Sequence, residues 1–398
     1  IFSDLVRLGK FETFDPIHGH TDPKAKPPVG FTQENHKLGV WNGKEFVFQE
    51  NDSYWMNLIS GLWRYGLDAK YVNSEADRIL YKFLKVYNLL EHQTFRSVEE
   101  LLQALDLYDL TKLSLEEHLF KNQMCGYNNG TYCHEIVTGL TRVNYGQSMN
   151  LNALVGLIAL VGSSDDIVGV VGGNYKVLEY ALWRARALVH YNSPVTKITK
   201  DTVNGVKYTV AYEDEDSNVQ TSEGFDKIII ATPLEFASIE FEGFSLPEEG
   251  MQKRPYQLTH VAIIVGELNL HEYFGVSASQ PQMILTTEDD RTEFSSIFLH
   301  SEYNTQGEIR KLYKIFSRER LSEVKLGEMF TNLTMQYQTE FYAYPVLDPL
   351  PAGVRFPALI LDDSNVFYVN AMESAFSTIE TEMISGRNIA KLVSEHIK

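Results

Sequence analysis

Hydrophobic positions along this chain change their spacing several times, and each change marks a stretch of different structure. From Ser53 to His134 they recur at helical intervals. Trp55, Leu58, Ile59, Leu62 and Trp63 form one set; Ile79, Leu80, Phe83, Leu84, Tyr87 and Leu90 form another. Ser97-x-x-Glu100 and Ser114-x-x-Glu117 supply capping-box starts for two further helices. The wide aromatic faces of this helical part are expected to pack into a core. The apolar run Leu151 to Gly162 reads as a buried helix, being too short to cross a bilayer and interrupted by Asn152. From Glu235 to Val354 alternation takes over: Leu258, His260, Ala262 and Ile264 against Thr259, Val261, Ile263 and Val265, and charge against apolar residues over Lys311 to Phe316. These are expected strands of one sheet.

Between the helical and alternating parts, Val168 to Pro233 reads as loop, helix, strand, hairpin and strand. Gly169, Gly172, Gly173 and Asn174 stand at its head. Leu178, Ala181, Leu182 and Ala185 mark one side of the helix, Val195-Thr-Lys-Ile198 the first strand, and Ile228-Ile-Ile-Ala-Thr-Pro233 the last. Glu213-Asp-Glu-Asp216 is read as a solvated hairpin tip. A nucleotide-binding α/β domain can use this order, because glycines admit close backbone approach and the helix start presents free N–H groups. Two adjacent glycines before a helix are more often an ordinary turn than a ligand site. The end of the chain returns to a strand-then-helix order, with Val366-Phe-Tyr-Val369 as a buried strand, then Asn370-Ala-Met-Glu373, then Ser377-Thr-Ile-Glu380 as a capping box opening a helix through Ile389 and Leu392. Residues 9 to 38, rich in Pro, Gly, His and Lys, read as an irregular surface segment. His18, His20 and His36 within it lack ligand spacing, so no metal site is expected.

Composition narrows the function classes. A chain of 398 residues with 44% apolar and 22% charged residues can build two intimately joined domains with a sizeable core. Its net charge of -18, without a basic stripe, argues against a nucleic-acid partner. Cys125 and Cys133 are the only cysteines, and Asn128-Asn-Gly130 between them is a turn signal; a disulfide and two buried thiols are both compatible with that spacing. Asn51-Asp-Ser53, Asn129-Gly-Thr131 and Asn332-Leu-Thr334 fit the N-glycosylation pattern, which with a disulfide favours a lumenal or secreted protein.

Thr141-Arg-Val-Asn-Tyr-Gly-Gln-Ser148, Asn152-Ala-Leu-Val-Gly156 and Gly172-Gly-Asn174 resemble the central block of the prenylcysteine oxidases, also called prenylcysteine or farnesylcysteine lyases. The likeness continues in Gly39-Val-Trp-Asn-Gly43, Leu62-Trp-Arg-Tyr-Gly66, Lys227 to Leu234, Val265-Gly-Glu-Leu268 and Tyr368-Val-Asn-Ala-Met-Glu373, so it spans nearly the whole chain. This family consists of FAD-dependent thioether oxidases distantly related to the flavin amine oxidases. The resemblance implies a mixed α/β (α+β) fold: an incomplete FAD-binding Rossmann-like domain interleaved with a helical and β-sheet substrate domain. Residues 1-38 would be an irregular N-terminal segment and 39-165 the helical part of the substrate domain, some of whose aromatic residues would line a tunnel for the isoprenoid tail. Residues 166-234 would be the middle of the FAD domain, 235-355 the β-sheet part of the substrate domain, and 356-398 the C-terminal strand and helix of the FAD domain. The family's opening Gly-x-Gly-x-x-Gly turn is missing from this chain, so the sequence is expected to be an N-terminally incomplete member that holds no FAD by itself.

The reaction implied by the resemblance removes hydride from the allylic carbon beside sulfur to FAD. Water then adds, and the hemithioacetal collapses to cysteine and an isoprenoid aldehyde, while dioxygen reoxidises the flavin to hydrogen peroxide. The cofactor-binding positions so implied are Gly172, Gly173, Asn174, Val195, Thr232, Pro233, Glu373, Ser377 and Thr378. Ala371 stands where the family commonly has glycine. Arg142, Asn144, Tyr145 and Gln147 form a polar cluster that can contact flavin or the amino-acid head, or can simply bond a loop between helices. No catalytic base is singled out. The implied partners are a small-molecule prenylcysteine and dioxygen, with peripheral membrane association through the lipid substrate and no transmembrane segment; the implied compartment is the lysosome or the secretory pathway. A lipid carrier without FAD, and a flavin oxidase acting on amines, are the competing classes.

Overall fold

The computed structural model describes residues 2–11, 13–14, 37–161, 169–203, 205–248, 250–276, 281–287, 292–305, 308–363 and 365–395. Val168, Gly162 and the three N-terminal histidines His18, His20 and His36 lie outside them.

Alternation in the later part builds a seven-stranded sheet. Its order is Phe330–Pro345, Tyr256–Leu268, Glu308–Ser317, Ser296–Thr305, Met283–Thr286, Leu38–Trp41 and Phe46–Gln49. All its pairings are antiparallel except Met283–Thr286 with Leu38–Trp41. The sheet therefore recruits two strands from the stretch read as helical, because Val40 and Trp41 are buried against it. A hairpin, Lys207–Glu213 with Val219–Phe225, joins Val195–Asp201 and Glu240–Glu242 in a four-stranded sheet. Asp214 at the hairpin tip accepts bonds from the backbone of Asp216 and Asn218, which close the turn. The third sheet pairs Ile228–Ile230 in parallel with Val366–Tyr368, with Ile360–Asp362 at its other edge. Parallel strands read as continuous apolar runs because both faces are meant for burial. Here Val366, Phe367 and Tyr368 are buried, whereas Ile229 is exposed.

The helical part forms as its periodicity predicts. Asp68–Phe83 buries Val72, Ala76, Ile79 and Phe83, and Lys85–His92 buries Val86 and Leu90. Ser114 and Glu117 make the complete capping box of Leu115–Lys121, and Ser97 caps Val98–Ala104. Ala153–Val161 is buried as expected. Two expectations fail. Tyr54–Tyr65 is a helix, capped by Ser53, but its aromatic face is not core: Trp55 is 69% and Trp63 79% exposed, and only Tyr65 is buried. Periodicity locates an apolar face without saying what lies against it. Likewise Tyr175–Arg184 buries Val177 and leaves Leu178 and Leu182 exposed.

One core runs through the helical part and the C-terminal strand and helix, joining Ile79, Leu90, Leu115 and Leu154 to Phe367, Phe376, Ile384 and Leu392. A second lies on the outer sheet around Trp41, Phe274, Ile297 and Tyr313. Asn388 locks the first together, accepting from Phe95 N at 2.9 Å and donating to Phe95 O at 2.8 Å. Cys125 and Cys133 are joined as a disulfide, with Cα atoms 6.0 Å apart, around the left-handed Asn128 and Asn129.

Candidate active site

Two cavities meet at Ala231, beyond the end of the parallel strand Ile228–Ile230. One, of about 810 Å³, is lined by Asn144, Tyr145, Ile158, Leu178, Tyr344, Ser377, Thr378 and Glu382 among others. The other, of about 750 Å³, runs along Val195, Thr196, Ile228, Ile229 and Thr232. This pair of cavities, the trough, borders the carboxyl end of a parallel strand, a place where open α/β sheets bind ligands.

The start of helix Ile379–Glu395 forms one wall of the larger cavity. The capping box expected from Ser377 and Glu380 does not form. Thr378 and Thr381 cap reciprocally instead: Thr381 N donates to Thr378 Oγ1 at 3.1 Å and Thr378 N to Thr381 Oγ1 at 3.0 Å. Glu380 is drawn away to accept from Tyr87 Oη at 2.8 Å. Ser377 Oγ is then free to turn to Glu373 Oε1, at 3.4 Å. The opposite wall comes from the end of helix Thr138–Tyr145. Tyr145 donates to Ser377 O at 3.2 Å and packs edge-on against Tyr344, and burial raises its phenol pKa. Asn144 donates to Ala159 O at 3.0 Å.

Glu382, one turn into the helix, has both carboxyl oxygens buried without a hydrogen-bond partner among the described residues. Burial pushes its pKa up to about 8; the nearby Glu373 carboxylate adds to the rise and Arg254 opposes it. This group enters the cavity neutral at ordinary pH, as a potential donor.

Of the other sequence-derived positions, Val195 and Thr232 line the smaller cavity, while Gly172, Gly173, Asn174, Pro233, Glu373, Arg142 and Gln147 line neither of the two. Gly172 and Gly173 have φ of +83° and +115°, and Asn174 Oδ1 accepts from Val170 N at 3.0 Å. Their turn sets the helix whose Leu178 reaches the larger cavity. Pro233 O accepts from Phe236 N and Ala237 N in the turn after the strand. Gln147 fastens the strand end, donating to Pro345 O at 3.2 Å and accepting from Leu347 N at 2.8 Å. Arg142 is buried and donates to Thr286 O at 3.2 Å and Ser295 Oγ at 3.4 Å, beside a small separate cavity of about 140 Å³ under the sheet. Ala371 is fully buried, its methyl group packed in the core rather than facing the trough.

Sequence reading missed the cluster behind Glu373. Arg254 Nε donates to Glu235 Oε1 at 2.5 Å, its Nη1 to Ser374 Oγ at 2.7 Å, and its Nη2 lies 3.5 Å from Glu373 Oε2. Tyr256 Oη donates to Glu373 Oε2 at 2.8 Å, and Tyr368 Oη lies 3.3 Å from Arg254 Nη2. Burial works against the charge on Arg254, but hydrogen bonding to Glu235 and its neighbours' charges raise its pKa overall. A single arginine thus holds two buried carboxylates behind the cavity wall. No group of three or more potential metal-ligating residues exists among the described residues.

The profile of the prenylcysteine lyase family matches residues 48–398. Farnesylcysteine lyase of Arabidopsis thaliana is 33% identical over 375 residues, covering 91% of this chain and 70% of that protein. Prenylcysteine oxidase 1 of Homo sapiens is 30% identical over 378 residues, covering 89% and 72%. Among solved structures, a redesigned putrescine oxidase triple mutant superposes with a TM-score of 0.55 at 12% identity, covering 99% of this chain and 85% of that one, a likeness of fold.

Proposed function

This chain belongs to the prenylcysteine lyase family, and from that premise we propose that it takes part in prenylcysteine oxidation: cleavage of farnesyl- or geranylgeranylcysteine to cysteine, an isoprenoid aldehyde and hydrogen peroxide, with FAD as cofactor and dioxygen as oxidant. The observation that carries the reading is the trough past Ile228–Ile230, walled by the start of helix Ile379–Glu395. Its features suit a flavin dinucleotide. Its two cavities share Ala231, a helix N-terminus opens on the larger, and Glu382 brings a partnerless neutral carboxyl that can donate to a ring carbonyl. In this reading Ser377, Thr378, Asn144, Tyr145, Val195 and Thr232 would hold the cofactor.

Bound flavin supplies the hydride acceptor. The protein's share is positioning and dryness. The start of helix Ile379–Glu395 would lend partial positive charge to a reduced flavin held in the larger cavity. Tyr145 and Tyr344 form an apolar wall that keeps the thioether away from bulk water, and their raised pKa values keep both phenols neutral throughout the physiological range. The Arg254 cluster acts from behind, fixing Glu373 and through it the Ser377 hydroxyl. Peripheral association with membranes that hold the substrate, glycosylation at Asn51, Asn129 and Asn332, and residence in the lysosome or secretory pathway belong to the same proposal.

The deciding experiment supplies FAD to the purified protein, by itself and joined to a relative's Gly-x-Gly-x-x-Gly segment, and follows peroxide and free cysteine from farnesylcysteine, with putrescine and other amines as parallel substrates. Equimolar cysteine and peroxide from the thioether alone supports the reading. Peroxide from amines alone would move the chain to the amine oxidases, and FAD-independent retention of farnesylcysteine without turnover would make it a carrier.

A further inference from the structure

Helix Tyr54–Tyr65 is built inside out. Its exposed positions are Tyr54, Trp55, Met56, Leu58, Ile59, Leu62 and Trp63, every one apolar or aromatic. Its polar side chains turn inward, where each is satisfied. Asn57 accepts from Asn51 N at 2.8 Å and donates to Asn51 O at 2.9 Å. Ser60 donates to Asn57 O at 3.1 Å. Arg64 makes a two-pronged bond to Glu135, at 2.8 and 2.5 Å, joined by Tyr65 Oη at 3.0 Å. A helix whose polar stripe is consumed within the protein and whose apolar stripe faces out is matched to an apolar surrounding, the reverse of a helix at a water boundary.

We infer that this helix lies flat in the surface of a lipid bilayer and docks the protein there, on a zwitterionic rather than an anionic membrane. The lipid assignment rests on three features. The outward face carries no charge at all, so the desolvation cost that a charged rim would bring on entering lipid is absent. The side chains are those of an interfacial helix: aliphatic Met56, Leu58, Ile59 and Leu62 between Tyr54 and Trp55 at one end and Trp63 at the other, rings that prefer the headgroup level. At twelve residues the helix is too short to span, and no helix among the described residues is long and apolar enough to do so. The choice of a zwitterionic membrane follows from charge. A chain at -18, with its one helix arginine tied to Glu135, has nothing on this face to attract anionic headgroups.

The inference deepens the peripheral membrane association proposed above and rests on that part of the reading, but it is tested apart from the reaction, since docking needs neither cofactor nor substrate. Flotation of residues 1–398 with phosphatidylcholine vesicles tests it, in low and high salt, beside the double variant Trp55→Lys/Trp63→Lys and the single variant Ile59→Glu. These positions are exposed, so thermal melting of the variants should match the parent and establish that they fold. The expected result is salt-independent flotation of the parent, a drop of tenfold or more in partitioning for the double variant, and a smaller drop for the single one. Three results would overturn it: a parent that stays in the aqueous fraction, variants that float equally well, or a parent that is dimeric in sedimentation and becomes monomeric on substitution without ever binding vesicles, which would assign the face to a second copy.

Discussion

Glu382 is the most consequential single residue of the site, because its protonation links the fold to pH. Its folded pKa of about 8 lies above the ordinary glutamate value of 4.5. Below 4.5 the carboxyl is neutral in folded and unfolded chains alike. Between 4.5 and 8 the folded chain keeps a proton that the unfolded chain releases, so stability falls as pH rises through this window. Above 8 the full cost of a buried charge beside Glu373 is present. Glu382→Gln should therefore match the parent in urea denaturation near pH 4 and exceed it by on the order of 1–3 kcal/mol at pH 8.5; parallel pH profiles for the two proteins would show that the carboxyl is solvated. Arg254 poses the opposite case. Arg254→Met removes the cation between Glu235 and Glu373 while leaving both carboxylates buried, at an expected cost of about 3–5 kcal/mol. Arg254→Lys should recover only part, since one ammonium cannot reproduce the forked contacts to Glu235 and Ser374. Equal denaturation midpoints for all three proteins would remove the cluster from the structural account.

At the scale of elements, the turn Gly172-Gly173 shows how a site can depend on residues that do not line it. Valine at Gly173 would have to adopt φ near +115°, and its Cβ would come within 2.7 Å of the Tyr175 ring. The ring is exposed and can swing aside; the backbone cannot relax so easily, and the strain is on the order of 1–3 kcal/mol. Gly173→Val should shift helix Tyr175–Arg184 and its Leu178, lowering flavin retention at equilibrium dialysis while the melting of the helical part barely moves. Flavin retained at parental occupancy would detach this turn from the site. Such elements were legible in the sequence to differing degrees, for physical reasons. Repeating patterns gave the helices from Asp68 to Lys121, the buried Ala153–Val161 and the alternating strands, because burial on one side imposes a period. The facing of Tyr54–Tyr65 was not legible, since an outward apolar stripe has the same period as an inward one. Nor was the cap of the last helix: Ser377 and Glu380 have capping-box spacing, but Tyr87 and Glu373 compete for their side chains from elsewhere in the fold. Arg254 left no local trace at all, because Ser374, Tyr368 and Glu373 meet it across more than a hundred residues of chain.

At the scale of the whole molecule, the arrangement of cores determines how far a ligand's effect should spread. The larger core carries helical residues such as Ile79 and Leu90 together with Phe367, Phe376 and Ile384 of the C-terminal part, and Asn388 and Tyr87 bridge the two by hydrogen bonds. The outer sheet has its own core around Trp41, Phe274 and Tyr313. Ligand bound in the trough meets walls that belong to or pack on the larger core: Tyr145, Ile158, Tyr344 and, through the smaller cavity, Ile198 and Ile230. Binding stabilises whatever unfolds together with those walls, by an amount set by ligand concentration over its dissociation constant. It leaves untouched the openings of a unit that can come apart separately. Hydrogen exchange in the presence and absence of saturating FAD should then show slower exchange in Ile228–Ile230, in Val366–Tyr368, in the first turns of Ile379–Glu395 and also in Asp68–Phe83, which touches no ligand but shares the core. Exchange in Met283–Thr286, Ser296–Thr305 and Glu308–Ser317 should stay unchanged. Protection confined to the trough walls would mean that the helical part opens independently of them, and protection of the outer sheet to the same degree would mean that the two cores unfold as one.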